Sequence, residues 1–164
     1  MAKRQGFSLV EILIVVAIIG VIAGIATIAT NPARLKARDT KRKFELAQIG
    51  RFMAGSSCYQ PSGGPGEYDL ADLFKEIAVQ NPQITKIITK VPRDPHGGSD
   101  DQTFYTYVLS ADGKKCALYA NLEYENEPVT LKNLTDPTPG GGTGVLQGST
   151  EGHNGTRIYF QSSN

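Results

Sequence analysis

The sequence is poor in the residues that build catalytic or disulfide-rich sites: its 164 residues include no tryptophan, two histidines and two cysteines. Cys58 and Cys116 are too few for a disulfide framework. They suit one bridge in a domain that leaves the cytosol, with two unrelated buried thiols as the alternative. Both histidines lie in glycine-rich loops. No serine or cysteine lies in a nucleophile motif, and no glycine-rich phosphate-binding loop follows a predicted strand. The sequence therefore does not indicate an enzyme.

Charge is absent from residues 12–30 and concentrated directly after them. Residues 34–43 hold six cations against one aspartate. This basic segment is interpreted either as a solvated, headgroup-touching face or as a partner for acidic loops of neighbouring molecules. Nucleic acid is not indicated, because the net charge is +1 and no aromatic residues are interleaved with the cations.

From residue 7 to residue 29 the only polar residues are Ser8, Glu11 and Thr27. This run is long enough for a helix that spans a bilayer. A secretory signal peptide fits poorly, since its apolar core is shorter and a glutamate at its start is unusual. An ordinary transmembrane anchor is a second possibility, in which Glu11 is costly if it lies deep in the bilayer. However, counting flanking cations then places the C-terminal domain in the cytoplasm, in conflict with a disulfide.

The stretch "KRQGFSLVE", residues 3–11, combines a basic start, a glycine, an aromatic residue and a glutamate five positions after the glycine. It resembles the leader of type IV pilins and type II secretion pseudopilins. The resemblance implies that a prepilin peptidase cuts between Gly6 and Phe7 and that the Phe7 amine is methylated. It also implies that Glu11 meets the Phe7 amine of a neighbouring subunit during assembly.

The resemblance implies an α+β, pilin-like fold: a long N-terminal spine helix packed on a small antiparallel β-sheet. Within this fold, Pro32 either kinks a continuous helix or starts a second one. The expected segments are a leader (1–6), an apolar transmembrane or filament-core helix (7–30), an amphipathic spine helix (31–55), a globular α+β head (56–134) and a flexible Gly/Pro/Thr-rich extension (135–164).

Local patterns predict the elements of the head. "DLADLFKEIAVQ" predicts a short helix capped by Asp69, and residues 82–91 suggest another helical turn. Two β-rich runs around "ADGK" predict a hairpin over residues 103–125. "RIYFQ" near the end suggests an edge strand. Because pilin heads pack such a sheet against the spine, Cys58 and Cys116 are expected to meet as a disulfide.

"RDPHGG" partly resembles a segment of the major pseudopilins, with His96 in place of the usual aromatic residue. Members of that group bind calcium through a late loop. Oxygen ligands are available here, although their spacing is not that of an EF-hand. We expect no cofactor, with calcium as the one ion to consider. The available ligands are Asp94, Asp100, Asp101 and Asp112.

These observations predict a structural subunit, not an enzyme, that polymerises through its N-terminal helix into a type IV pilus or a secretion pseudopilus. Expected partners are copies of itself, other pilin-like subunits, the prepilin peptidase, the inner-membrane assembly platform and, before assembly, the bilayer. The subunit is expected to cross the cytoplasmic membrane once, with its head outside, and then to enter a cell-surface or periplasmic filament. The alternative is a membrane-anchored exported binding or enzymatic domain that does not polymerise.

Overall fold

The structure, a computed structural model, describes residues 7–54, 57–83 and 90–164. Contacts divide the chain into a first unit, residues 1–35, and a second unit, residues 36–164. The predicted leader, the expected end of the spine helix at residue 55 and most of the helical turn expected at 82–91 lie outside the described residues. The described elements are α1 (Leu9–Ala54), β1 (Gly66–Asp69), α2 (Leu70–Gln80), β2 (Thr106–Leu109), β3 (Cys116–Asn121), β4 (Gly144–Gln147) and β5 (Ile158–Ser163).

The part of α1 in the first unit exposes a mostly apolar surface. The large apolar side chains from Leu9 to Ile25 are each 50–76% exposed. A run of isoleucine and valine this apolar is stable as a helix in lipid, because a helix satisfies its own backbone hydrogen bonds. By length and composition, α1 contains a segment that can cross a membrane. The helix continues past Pro32, so a separate helix does not start there.

In the second unit, five antiparallel strands form one sheet in the order β1-β2-β3-β5-β4. The predicted hairpin is confirmed as β2 and β3, with Thr106 opposite Tyr119 and Leu109 opposite Cys116. Gly113 takes a φ of 68° in the connecting turn, a conformation that favours glycine. The predicted α2 is also confirmed: the Asp69 side chain accepts the Ala71 N–H at 2.8 Å and caps it.

The later part of α1 packs on the inner face of this sheet. Leu46 is fully buried in a cluster with the inward-facing residues of the strands, including Tyr107 and Leu118. Burial of one such leucine contributes about 2–3 kcal/mol. The predicted α+β, pilin-like layout, a long N-terminal helix with a small antiparallel sheet, is therefore confirmed.

The expectation of a flexible extension over residues 135–164 is wrong. This part of the chain supplies β4 and β5, and β5 lies inside the sheet between β3 and β4 instead of at its edge. The preceding Gly-rich loop is ordered by polar contacts, not by apolar burial. The fully buried Gln161 accepts the Thr138 N–H at 2.8 Å and donates to the Gly142 carbonyl at 2.8 Å. A buried amide of this kind satisfies the hydrogen bonds of loop backbone groups. The glycine-rich composition of the loop had suggested that it is unpacked.

Candidate assembly site

The first turn of α1 carries the predicted assembly residue in a capping arrangement. Ser8 directly precedes the helix, and its N–H donates to Glu11 Oε2 at 2.9 Å. The Val10 N–H in turn donates to Ser8 Oγ at 3.4 Å. The pattern is a variant of the capping box, in which the Ser8 hydroxyl accepts from Val10 instead of Glu11, and the serine and the glutamate each satisfy an otherwise free backbone donor. The carboxylate is thus held at the start of the helix.

Glu11 lies at one end of the exposed apolar surface of α1, one turn after Phe7, which is 85% exposed. Ion pairs in the described part of the chain do not include Glu11. A carboxylate in apolar surroundings is costly unless it is paired. The arrangement therefore offers an acceptor for a cationic group from another molecule. Gly6, the other predicted junction residue, lies outside the described residues.

A buried ionic cluster joins α1 to the loops of the second unit. The fully buried Arg42 guanidinium contacts Asp94 through Nε at 2.8 Å and through Nη2 at 2.6 Å. It also contacts Asp39 Oδ1 at 2.6 Å and Glu123 Oε1 at 2.6 Å. In the described part of the chain, every buried side-chain nitrogen and oxygen atom has a hydrogen-bond partner. The ionic cluster, residues Asp39, Arg42, Asp94 and Glu123, is thus internally satisfied.

The cluster shifts the pKa values of two of its members, Arg42 and Glu123. Burial opposes the charge of Arg42, but hydrogen bonds and attraction from Asp94, Glu123 and Asp39 outweigh it and raise the pKa of Arg42. Burial also opposes the charge of Glu123, which by itself would raise the pKa of that carboxyl group. Hydrogen bonds from Arg38 and Arg42 outweigh burial and lower the pKa of Glu123 below its ordinary value. Both shifts favour the charged forms of Arg42 and Glu123.

Other cations of the basic segment also find partners within the chain. Arg38 donates through Nε to Glu123 Oε1 at 2.7 Å, and Lys43 pairs with Glu127. Lys36 Nζ lies 4.5 Å from the centroid of the Tyr124 ring. Of the two interpretations of this segment, a solvated face is therefore wrong for Arg42. Pairing with acidic loops does occur for several cations, but the loops belong to the same chain and not to a neighbour.

The cluster was missed at the level of sequence although a signal for it exists. Asp39 and Arg42 lie seven and four residues before Leu46, and Gly50 lies four residues after it. Residues at this spacing share one helix face. All four are buried. Continuing the helix face of Leu46 towards the N-terminus predicts that Asp39 and Arg42 also face the sheet.

Cys58 and Cys116 form the expected disulfide, with their Cα atoms 5.8 Å apart. Asn164 holds both halves of the bridge: its side-chain oxygen accepts the Cys116 N–H at 2.9 Å, and its Nδ2 lies 3.1 Å from Cys58 Sγ. The bridge ties the segment after α1 to the start of β3. The sequence separation of 58 residues makes it a long-range restraint on the second unit.

The aspartates considered as calcium ligands have separate protein partners. Asp94 belongs to the ionic cluster, while Asp100 pairs with Arg93 and Asp101 with Lys75. Asp112 accepts the Ser110 hydroxyl at 2.6 Å. Among the residues that the structure describes, no group of three or more His, Cys, Asp or Glu side chains is arranged to hold a metal ion.

Comparison with known proteins adds one match, at the N-terminus. Residues 1–27 match the family described as the prokaryotic N-terminal methylation motif. The chain carries the N-terminal signature of type IV pilins and pseudopilins. The match includes Gly6, Phe7 and Glu11 and supports a structural subunit that a prepilin peptidase processes. Neither the curated proteins nor the solved structures contain a match to the chain.

Proposed function

We propose that this protein is a structural subunit that is cleaved after Gly6 and polymerises through α1 into a type IV pilus or a type II secretion pseudopilus. The observation that carries the proposal is the N-terminal methylation motif at the head of an apolar helix whose side chains are left exposed. An exposed apolar surface of this length needs lipid or like helices around it. A filament core supplies the like helices.

The role of Glu11 follows from the charge that cleavage creates. Removal of residues 1–6 gives Phe7 a free ammonium group and removes Lys3 and Arg4. In the apolar interior of a filament, a carboxylate and an ammonium group attract strongly, and either one alone is costly. Glu11 of one subunit therefore pairs with the Phe7 amine of its neighbour and sets the axial register. Within its own chain, the capping contact to Ser8 holds the carboxylate in place for this encounter.

The proposed life cycle begins in the cytoplasmic membrane. α1 crosses the bilayer once with Lys3 and Arg4 at the cytoplasmic face and the second unit outside the cytoplasm. The prepilin peptidase and the inner-membrane assembly platform then act on this form. The cleaved subunit leaves lipid for a filament of its own copies and other pilin-like subunits, at the cell surface or in the periplasm. In this proposal the protein has a structural role and no catalytic one.

Substitution of Glu11 tests the proposal. Glu11→Ala is expected to leave membrane insertion intact, since it removes a charge from an apolar helix, and to abolish or sharply reduce sheared filaments. Glu11→Asp is expected to fall between Glu11→Ala and the wild type. Ile12→Leu, an apolar change at the adjacent position, is the matched control and should assemble normally. Mass spectrometry of the assembled protein should show an N-terminus at a methylated Phe7.

Two results would contradict the proposal. One is wild-type filament yield from Glu11→Ala, which would remove the pairing role. The other is an intact Met1 on protein recovered from filaments, which would remove the processing step. A chain that stays in the membrane, is never found in filaments and keeps its leader would be an anchored exported domain instead.

A further inference from the structure

The outer face of the sheet, opposite α1, carries a groove of about 390 Å³ in the second unit. This volume is within the range of small-molecule sites, roughly 300–1,000 Å³. The walls come from β1, β2, β3 and β5, from the segment before β2 and from the loop before β5. The lining includes two acids and four ring-bearing side chains: Glu67, Asp69, Phe104, Tyr119, His153 and Tyr159.

Aromatic rings form two walls of the groove. Tyr119 and Tyr159 stand side by side on β3 and β5, with ring centroids 6.1 Å apart and planes inclined by 70°. Their rings therefore make a corner. On another side, Phe104 stacks on His153, with centroids 3.5 Å apart and planes inclined by 9°. Ring faces with π-electron density attract cations placed over them, within about 6 Å of the centroid.

The groove is acidic. Its lining contains two carboxylates, those of Glu67 and Asp69, and no lysine or arginine. Asp69 is fully used by the protein, since its oxygens accept the backbone N–H groups of Ala71, Thr103 and Phe104 and the Thr103 hydroxyl. Glu67 differs: it is exposed, and in the described part of the chain its one polar side-chain contact is the Tyr119 hydroxyl at 3.2 Å.

Glu67 has no lysine or arginine beside it in the described part of the chain. Elsewhere in the second unit, lysine or arginine pairs with acids on α1, on α2 and in the loops. Glu67 forms no ion pair with any residue that the structure describes, although it stands at the aromatic corner. A negative charge beside ring faces and without a cationic partner favours a positively charged occupant.

The backbone at the groove is held in a strained state. Phe104 is the single non-glycine residue with a positive φ, 58°, among the described residues. Its N–H donates to Asp69 Oδ2 at 3.0 Å, which holds this conformation and presents the ring to the groove. Backbone strain of this kind persists only where surrounding contacts enforce it, and it clusters at ligand sites. The groove is thus preformed.

We propose that this groove binds an alkylammonium cation, with Tyr119 and Tyr159 as its aromatic walls and Glu67 as its counter-charge. A quaternary or methylated ammonium group suits the site because its apolar methyl groups contact the rings while its charge is attracted to the ring faces. A neutral carbohydrate could also stack on the rings, but it would leave Glu67 without a cation. Binding is independent of polymerisation, so the proposal stands apart from the proposed function.

The experiment uses the mature full-length protein in nanodiscs of phosphatidylglycerol, which contain neither choline nor sugar. Choline is titrated at constant chloride, and the ring signals of ¹³C-labelled tyrosines are followed by NMR. Dimethylbutanol, the neutral carbon isostere of choline, is titrated in parallel. Choline should shift the Tyr119 and Tyr159 signals at saturation, and the isostere should bind about tenfold more weakly.

Two variants and a control locate the effect. Glu67→Gln should weaken choline binding about threefold, as expected for an exposed charge. Glu67 is exposed, so this change leaves the fold intact. Tyr119→Leu should abolish binding, and unchanged far-UV circular dichroism would show that it is folded. Glu125→Gln, at an exposed acid outside the groove, should bind as the wild type does.

Equal affinity for choline and its isostere would overturn the proposal, as would wild-type binding by Glu67→Gln and Tyr119→Leu together. Shifts of the same tyrosines by maltotriose, without shifts by choline, would also overturn it and assign the groove to carbohydrate. Filament yield in the Glu67→Gln strain separates this site from assembly. Because Glu67 plays no part in the proposed role of Glu11, the yield should be unchanged.

Discussion

Replacement of Arg42 by methionine is expected to destabilise the second unit by about 3–5 kcal/mol, the range measured when one partner of a buried ion pair is removed. Methionine fills a similar volume, so the change removes charge and hydrogen bonds with little loss of packing. It leaves Asp39, Asp94 and Glu123 facing one another where the guanidinium stood, with contacts of 2.6–2.8 Å lost.

The structure sets a lower and an upper limit on the free energy of unfolding that Arg42→Met removes. Asp39 also accepts the N–H groups of Glu123 and Tyr124, each at 2.9 Å, so it is anchored and does not turn to solvent. Repulsion among the remaining carboxylates is therefore not relieved by simple rearrangement. Protonation of one carboxyl group does relieve it, which limits the loss. A small domain has a total stability of about 5–15 kcal/mol, so the change consumes a large fraction of it.

Urea unfolding of the mature full-length protein in detergent micelles measures the effect. Near-UV circular dichroism reports on the second unit because Tyr105 and Tyr107 are fully buried there, whereas far-UV signals also include the membrane part of α1. Lys41→Met is the control: Lys41 is 55% exposed and its pair with Glu45 is 3.7 Å long, so a change below about 1 kcal/mol is expected. If Arg42→Met unfolded within 1 kcal/mol of the control, the cluster would not be stabilising the fold.

Three further predictions concern packing, the disulfide and pH. Gly50→Ala should cost about 1–3 kcal/mol in the same assay, because the added Cβ would lie 2.7 Å from Ser162 Cβ, and Ser162→Gly should rescue it. Cys58→Ser with Cys116→Ser should lower stability by roughly 4 kcal/mol, and two alkylatable thiols in native protein would contradict the bridge. Stability should fall as pH drops below about 4.5, through the lowered pKa of Glu123, and Glu123→Gln should flatten that slope in thermal melts.

The parts of the fold that were predictable from sequence are those with local causes. The hairpin follows from two β-rich runs around one turn, and α2 follows from an apolar stripe behind a capping aspartate. The N-terminal junction is read from residue types at fixed spacing. The match over residues 1–27 includes that junction. In each case the residues that decide the structure are close together in the sequence, so a local pattern contains the information.

The C-terminal strands had no such local cause. Residues 135–156 are rich in glycine, proline and threonine, and that composition favours an unpacked chain. What orders them is a set of distant partners: Gln161 for the loop around Thr138, and Asn121, whose side-chain oxygen accepts the Asn154 N–H at 2.7 Å. The partner of Arg42 was unpredictable for the same reason, because Asp94 is 52 residues away, although the spacing on the helix face marks Arg42 itself. A cation that is predicted to be solvated from its sequence neighbours is buried when folding brings acidic residues from distant positions next to it.

These distant partners also bear on the orientation of the chain in the membrane. The cation count opposed an exported second unit because six cations follow the apolar run. In the folded protein, Arg38 and Arg42 share Glu123, Arg42 also binds Asp94, and Lys43 pairs with Glu127. The folded chain thus presents fewer free cations at this position than the sequence suggests. The disulfide argues in the same direction, since such bridges persist in oxidising compartments. Both observations agree with the orientation proposed above, in which the second unit lies outside the cytoplasm.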